Sequence, residues 1–325
     1  MTAYIIRRLF YTIPIVFGVL LITFTLFNVV RGDVSSEIAG KAASKETIEE
    51  IRKEYGFDKP LFLSWDSQFI SHFKKAVTFK FGRALDRELV IDKIKRGILP
   101  SLSLTVPMFF GLLIISISLS LVVAFVRGSR WDTAAVVICV VGMSVPYLSF
   151  ILFGQYFLAY KWGLFPVFFS PDLSPVQYVA LPVLIGIVSG LGSNLRFYRT
   201  VMLDEMRSDY VRTAFAKGLT TKRVLFKHVL KNAMIPIITS VVLAIPFLFL
   251  GSLLLERFFG IPGLGYLMVE AVSSRDYPII NAMTYIGALL FVIFNLITDI
   301  CYALVDPRIS LDWWCRCNWA WINAA

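Results

Sequence analysis

The chain has 325 residues, of which 57% are hydrophobic and 17% charged, and its mean hydropathy is +0.73. That leaves too little polar surface for a soluble domain of this size, and the apolar residues fall in blocks rather than being scattered. The formal net charge of +10 would suit a nucleic-acid binder, but basic residues also gather on the cytoplasmic loops of helical membrane proteins, and the hydropathy decides for the membrane.

Six apolar blocks lie at residues 10–30, 102–126, 133–160, 179–195, 235–255 and 279–304. Each is long enough to cross, as a helix, a hydrocarbon core about 30 Å thick. In that medium every backbone N–H and C=O must pair within its own segment, and the strand alternation of a membrane barrel is missing. The expected fold is therefore all-α: a polytopic membrane bundle of six transmembrane helices with a small outer helical subdomain.

The first block follows Arg7 and Arg8. It is longer than a secretory signal core, and Val29, Val30, Arg31 and Gly32 stand where a cleavage site of small residues would be, so an uncleaved first span is expected. In the segment 31–101, KETIEEIRKEYG reads as a helix from Lys45. Thr47 and Glu50 have capping-box spacing, Ile48, Ile51 and Tyr55 share a face, Gly56 can close the helix and Pro60 prevents its continuation. A solvated spacer is the alternative. The fourth block carries Gly186, Gly190 and Gly192, a spacing suited to close helix contact. Cys139 and Cys301 sit in apolar blocks as small hydrophobes, while Cys315 and Cys317 lack the second pair that a zinc site needs.

Orientation follows from the short loops. Arg7 and Arg8 flank the first block, Arg127 and Arg130 separate the second and third, and nine Lys and Arg lie between Arg196 and Lys231. Six spans put these regions on one side, and their basic excess makes that side the cytoplasm. Both termini are then cytoplasmic and 31–101 lies outside, in the cell (inner) membrane.

Catalytic chemistry has no visible home. No G-x-x-x-x-G-K-[ST], H-E-x-x-H or G-x-S-x-G sequence occurs, and the two histidines, His72 and His228, fall on opposite sides of the expected membrane. The informative stretch is DYVRTAFAKGLTTKRVLFKHVLKNAMIP, from Asp209 to Pro236. It reads as two short helices. The first runs through Val211, Thr213, Ala214 and Ala216, Gly218 closes it in a left-handed conformation, and Thr220 or Thr221 caps the second. Val224, Leu225, Val229 and Leu230 give the second helix an apolar stripe, and Pro236 marks the start of the next span. A basic amphipathic pair at a membrane face can lie on headgroups or fit a groove on a partner protein, and the small residues Ala214, Ala216 and Gly218 favour the partner.

This stretch resembles the ATPase-coupling loop of bacterial binding-protein-dependent ABC importer permeases, whose signature is E-A-A-x-x-x-G. Thr213, Ala214 and Gly218 hold the A-A and G positions, and Arg212 replaces the acidic residue, a form typical of the peptide and nickel branch. YIIRRLFYTIPIVFGVLLITF, GMSVP, FFGIPGLGYLMVEAVSSRDYPIINA and NLITDICYALVDPRI resemble further motifs of that branch in the family's order, so the likeness covers nearly the whole chain. The family's P-G-D-P after the first span is here Arg31, Gly32, Asp33 and Val34, and the tail LDWWCRCNWAWINAA has no counterpart.

The resemblance implies a channel-forming permease subunit importing di- or oligopeptides, with nickel complexes or other small peptide-like solutes as the alternative cargo. Its partners would be a second homologous permease, two ATPase subunits, an extracytoplasmic substrate-binding protein and membrane lipid, with no nucleic acid. The chain itself would bind no cofactor and no metal and hydrolyse nothing; ATP and magnesium would sit on the ATPases. Arg212, Thr213, Ala214, Ala216, Lys217, Gly218 and Leu219 would couple to those ATPases, with Ala214 facing a groove on one of them.

Ser144, Pro146 and Asp299 are candidates for the pathway or its gate. Pro146 reads equally as a kink and Asp299 as an interfacial anchor. Pro262, Gly263 and Gly265 of IPGLG are expected to make a structural turn. The organisation is then the N-terminus and first span at 1–30, an extracytoplasmic segment at 31–101, and a five-span core at 102–310 with the coupling loop at about 196–234. A tail without an assigned role follows at 311–325. An ion-gradient-driven secondary transporter would be expected to show internal repeats and discontinuous helices. A membrane-embedded hydrolase would need a nucleophile beside a base. Neither pattern is apparent in the sequence.

Overall fold

The computed structural model describes residues 2–30, 44–55, 58–61 and 67–305. The Arg31–Val34 turn, Gly56, Cys315, Cys317 and the tail after Ser310 lie outside the described residues, as do the side chains of Thr47, Ile48, Ile51, Tyr55, Asp299 and Cys301. Among the described residues the secondary structure is helical apart from one isolated bridge between Arg83 and Leu89. They fall into two compact units, one within 1–98 and 267–296 and the other within 99–266 and 297–325.

In the first unit, Thr2–Phe24 continues as a π-helical turn, Thr25–Val30, so the first apolar block is helical throughout. Two short helices follow, Lys45–Tyr55, as the sequence predicts, and Gln68–Val77, which it did not single out. Ser67 caps the latter by accepting the N–H of Ile70 at 3.3 Å. Leu20, Ala76 and Tyr285 are buried together, with Val16, Phe81, Ile286 and Leu289 packed around them.

Val90–Phe125 has 36 residues, about 54 Å at 1.5 Å per residue, more than a bilayer core needs. It begins twelve residues before the expected span, and the extra turns carry Asp92, Lys93, Lys95 and Arg96. Lys93 pairs with Asp86 and Arg96 with Glu88 in the preceding turn.

The expected span at 133–160 is instead two helices. Arg130–Ser144 and the run from Tyr147 to Lys161 meet at a bend of 90°. The cause is local: Pro146 has no N–H to donate and pushes the residue before it out of the helical region, and Val145 sits extended at φ −84, ψ 125. Pro175–Met206 contains the fourth block. A Cβ on Gly192 would stand 2.8 Å from the carbonyl oxygen of Cys139, so this glycine sets how closely Pro175–Met206 and Arg130–Ser144 approach.

The fifth span differs at both ends. Its helical run starts at Thr221, passes through a π-helical turn at Leu225–Val229, and has Pro236 well inside Leu230–Leu250 rather than at its head. It ends at Gly251, whose φ of 75° is left-handed, and Leu253–Phe259 is a separate short helix. Leu264–Ser274 and Tyr277–Val305 complete the order.

By length and composition, Val90–Phe125, Pro175–Met206, the run Thr221–Phe259 and Tyr277–Thr298 are able to cross a membrane; the bent pair makes a fifth, and Phe10–Phe24 is apolar but shorter. The chain is a helical membrane bundle.

Candidate functional site

The segment expected to meet an ATPase is one helix, Asp209–Ala216, with a continuous helical run after it rather than a second separate helix. Lys217 N–H donates to Thr213 O at 3.1 Å, and Gly218 N–H to Phe215 O at 2.9 Å. Gly218 then takes a φ of +79°, the conformation that closes a helix at low cost only for glycine. Thr220 is the capping residue of the following run by position, without a side-chain hydrogen bond.

Helix periodicity divides the residues of Asp209–Ala216 between two faces. Val211 and Ala214, three apart, point inward at 1% and 5% exposure. They belong to one cluster with Tyr198 and Met202, with Leu121 and Ala124, and with Val229, Ala233 and Ile237; Leu219 packs against it. Ala214, expected from the sequence to face a partner's groove, is turned inward here, its small side chain packed in the chain's own core. The outward face carries Arg212, Thr213, Phe215, Ala216 and Lys217, with Gly218 also exposed. Phe226, with Lys222, Arg223 and Lys227 near it in sequence, is a further exposed apolar residue.

Arg212 approaches Asp209 at 3.5 Å with both side chains mostly exposed, a contact that contributes little and leaves the guanidinium in reach of a partner. The Tyr210 hydroxyl donates to Glu205 Oε2 at 2.5 Å. Burial, then the Glu205 carboxylate, raises the pKa of Tyr210.

Arg199 counted in the sequence only as one of nine basic residues. Here its Nε and Nη2 both reach Asp132 Oδ1, at 2.9 and 2.7 Å, and Asp132 Oδ2 accepts the Gly128 N–H at 3.0 Å. This half-buried, two-pronged pair ties Arg130–Ser144 to Pro175–Met206.

The second constellation surrounds IPGLG. Gly263 and Gly265 do not take left-handed conformations; Gly251 and Gly260 do. The two IPGLG glycines are needed for space. A Cβ on Gly263 would stand 2.3 Å from Glu256 Oε2 and 2.4 Å from Ser101 Oγ, and one on Gly265 would meet the backbone of Ser252 and Leu253 at 2.8 Å. Pro262 stands between the buried Ile261 and Gly263, whose N–H closes the turn onto Ile261 O at 2.8 Å.

The turn wraps a carboxylate that the sequence reading did not single out. Glu256 is fully buried. Its Oε1 accepts the Ser101 hydroxyl at 2.8 Å and the Ser252 N–H at 3.0 Å, and its Oε2 accepts the Tyr266 N–H at 3.0 Å. Ser101 Oγ in turn accepts the Leu264 N–H at 2.7 Å. One carboxylate thus holds the Val90–Phe125 helix, the Leu253–Phe259 helix and the IPGLG turn together. The available signal was a lone acid within LLLERFF, just past the end assigned to the fifth span.

Ser144 lies at the 90° break, exposed, its hydroxyl donating to Val140 O at 2.9 Å; Pro146 is exposed beside it. Asp299 lies in Tyr277–Val305, far along the chain from that break. Phe197, Ile235, Pro236, Thr239, Ser240 and Leu243 line an open, mainly apolar groove.

Residues 116–311 match the family described as binding-protein-dependent transport system inner membrane component, and residues 1–85 match the N-terminal part of such components. The glutathione transport system permease protein GsiC of Escherichia coli (strain K12) is 34% identical over 311 residues, 95% of this chain and 99% of that protein. The oligopeptide transport system permease protein AppB of Bacillus subtilis (strain 168) is 34% identical over 323 residues, 95% of this chain and 100% of that one. This match over 95% of the chain, on a helical membrane bundle, makes the chain a member of the binding-protein-dependent transport system inner membrane components, an ABC importer permease of the peptide and oligopeptide branch.

Proposed function

We propose that this chain is one of two homologous permease subunits that enclose a path for di- or oligopeptides. Two ATPase subunits would drive it with ATP and magnesium, and an extracytoplasmic binding protein would deliver cargo. The observation that carries the reading is similarity over nearly the entire length to permeases named for glutathione and for oligopeptides. The loop supplies a physical route for coupling. Force on the outward face of Asp209–Ala216 passes through Val211 and Ala214 into Tyr198 and Met202 of one long helix and Val229 to Ile237 of another. Packed cores switch between arrangements rather than deform, so docking movements below the bundle become tilts of those helices. Proteoliposomes holding the assembled complex should accumulate labelled oligopeptide only with binding protein on one face and ATP on the other. The isolated permease should hydrolyse no ATP. Uptake without ATP, driven by an imposed ion gradient, would overturn the reading.

The basic short loops favour cytoplasmic termini, with 207–220 on the cytoplasmic side and Lys45–Tyr55 outside. In a variant lacking the native cysteines, a cysteine at Lys53 should react with an impermeant thiol reagent on intact cells, and one at Thr221 only after permeabilisation. The opposite pattern would invert the orientation.

A further inference from the structure

We propose that the Gln68–Val77 helix and the turn after it lie within the leaflet far from the N-terminus, against acyl chains, with Lys74 and Lys80 reaching the phosphates of acidic phospholipid. Two helices serve as rulers of depth. Phe69 packs between Phe17 and Phe24 at ring separations of 5.8 and 5.3 Å, His72 meets Thr23 at 3.5 Å, and Ala76 is buried with Leu20. Positions 17–24 lie six to thirteen residues before Val30, about 9–20 Å below the end of the first apolar block. Independently, Phe79 and Phe81 pack on Tyr285 at 6.3 and 6.0 Å. Tyr285 lies six residues into the last block, about 9 Å from its start. Both rulers set the segment below the headgroups, although the sequence groups it with the extracytoplasmic part.

The exposed surface has the chemistry for that place. With Phe69, His72 and Ala76 turned inward, Phe73 and Val77, four residues apart, share a flank that is 38% and 55% exposed, and Phe79 extends it at 43%. Phe79 sits at a φ of 54°, a conformation that a bulky residue keeps only when its surroundings hold it, and the rings of Phe81 and Tyr285 do so. Beside the apolar flank stand Lys74 and Lys80, exposed, with no carboxylate paired to them among the described residues. Lysine stems lie along acyl chains while their ammonium groups reach the interface, and anionic headgroups complement them.

The test uses the permease assembled with its partner subunits in nanodiscs containing phosphatidylglycerol. Nitroxide labels on Phe73→Cys and Val77→Cys, in a background without native cysteines, should collide freely with oxygen and poorly with a water-soluble nickel chelate. A label at Lys53 should show the reverse. High nickel access at both flank sites would put the helix in water and overturn the proposal. Protection from both reagents would assign the flank to a protein partner and overturn it equally. In the second arm, Lys74→Gln with Lys80→Gln should lower co-purified phosphatidylglycerol by about fivefold per lysine relative to a zwitterionic lipid; an unchanged ratio overturns the headgroup contact. The depth readout is the same for either orientation of the bundle, so its failure is distinct from failure of the orientation proposed above.

Discussion

Glu256→Ala is expected to give a permease that inserts poorly and unfolds well below the wild type, and Glu256→Gln is expected to be no better. The alanine variant removes a side chain with no exposed surface and strands the groups that donate to it, the Ser252 and Tyr266 N–H groups and the Ser101 hydroxyl. Each stranded donor costs about 1–3 kcal/mol, and the vacated side-chain volume adds to the loss. Glutamine keeps that volume but replaces one acceptor oxygen by an NH2 group. Whichever way the amide turns, that group confronts a backbone N–H, of Ser252 on one side or of Tyr266 on the other. Ser101→Ala should be milder, because it removes one donor to Glu256 and one acceptor for Leu264 while the two backbone bonds to the carboxylate remain. Thermal unfolding of the assembled, detergent-purified complex would rank the variants. A glutamine variant as stable as wild type would mean that the carboxylate is not held by donors alone.

How much of this was legible in the sequence depends on the range of the interaction. Apolar blocks and basic loops report medium and sidedness over tens of residues, and Pro146 reports a break because its effect on Val145 is local. The register of Asp209–Ala216 was less accessible. Small residues at 214 and 216 look alike in sequence, and only the packing of Tyr198, Met202 and Ile237 turns one inward and leaves the other outward. Gly263 and Gly265 mark a turn in the sequence, which carries no trace of what lies opposite a missing Cβ. Their neighbour is Glu256, held by a serine 155 residues away along the chain. The fifth apolar block runs past Gly251 because hydropathy does not register a single left-handed residue within LFLGSLLL.

Ala214→Arg and Ala216→Arg should therefore fail in different ways. Ala214 is 5% exposed inside the cluster that joins the loop to the long helices. An arginine there overfills a packed core, a cost of about 1–3 kcal/mol, and either buries an unpaired charge or expels the Asp209–Ala216 helix. The variant should show lower expression and a lower unfolding midpoint even without ATPases present. Ala216 is exposed on the outward face with Arg212, Thr213 and Phe215, so its arginine variant should fold as the wild type does. Should that face dock on the ATPase, an unpaired charge in the contact costs roughly 2–5 kcal/mol. At about 1.4 kcal/mol per tenfold, ATPase retention on membranes should fall at least tenfold, and uptake with it. Gly218→Val forces a β-branched residue into a left-handed conformation in otherwise open space, at a cost of about 1–2 kcal/mol, so partial transport with near-normal assembly is expected. Full ATPase binding by a stable Ala216→Arg permease would mean that docking lies elsewhere. A stable Ala214→Arg permease that loses only its ATPases would mean that Ala214 turns outward in the assembled transporter.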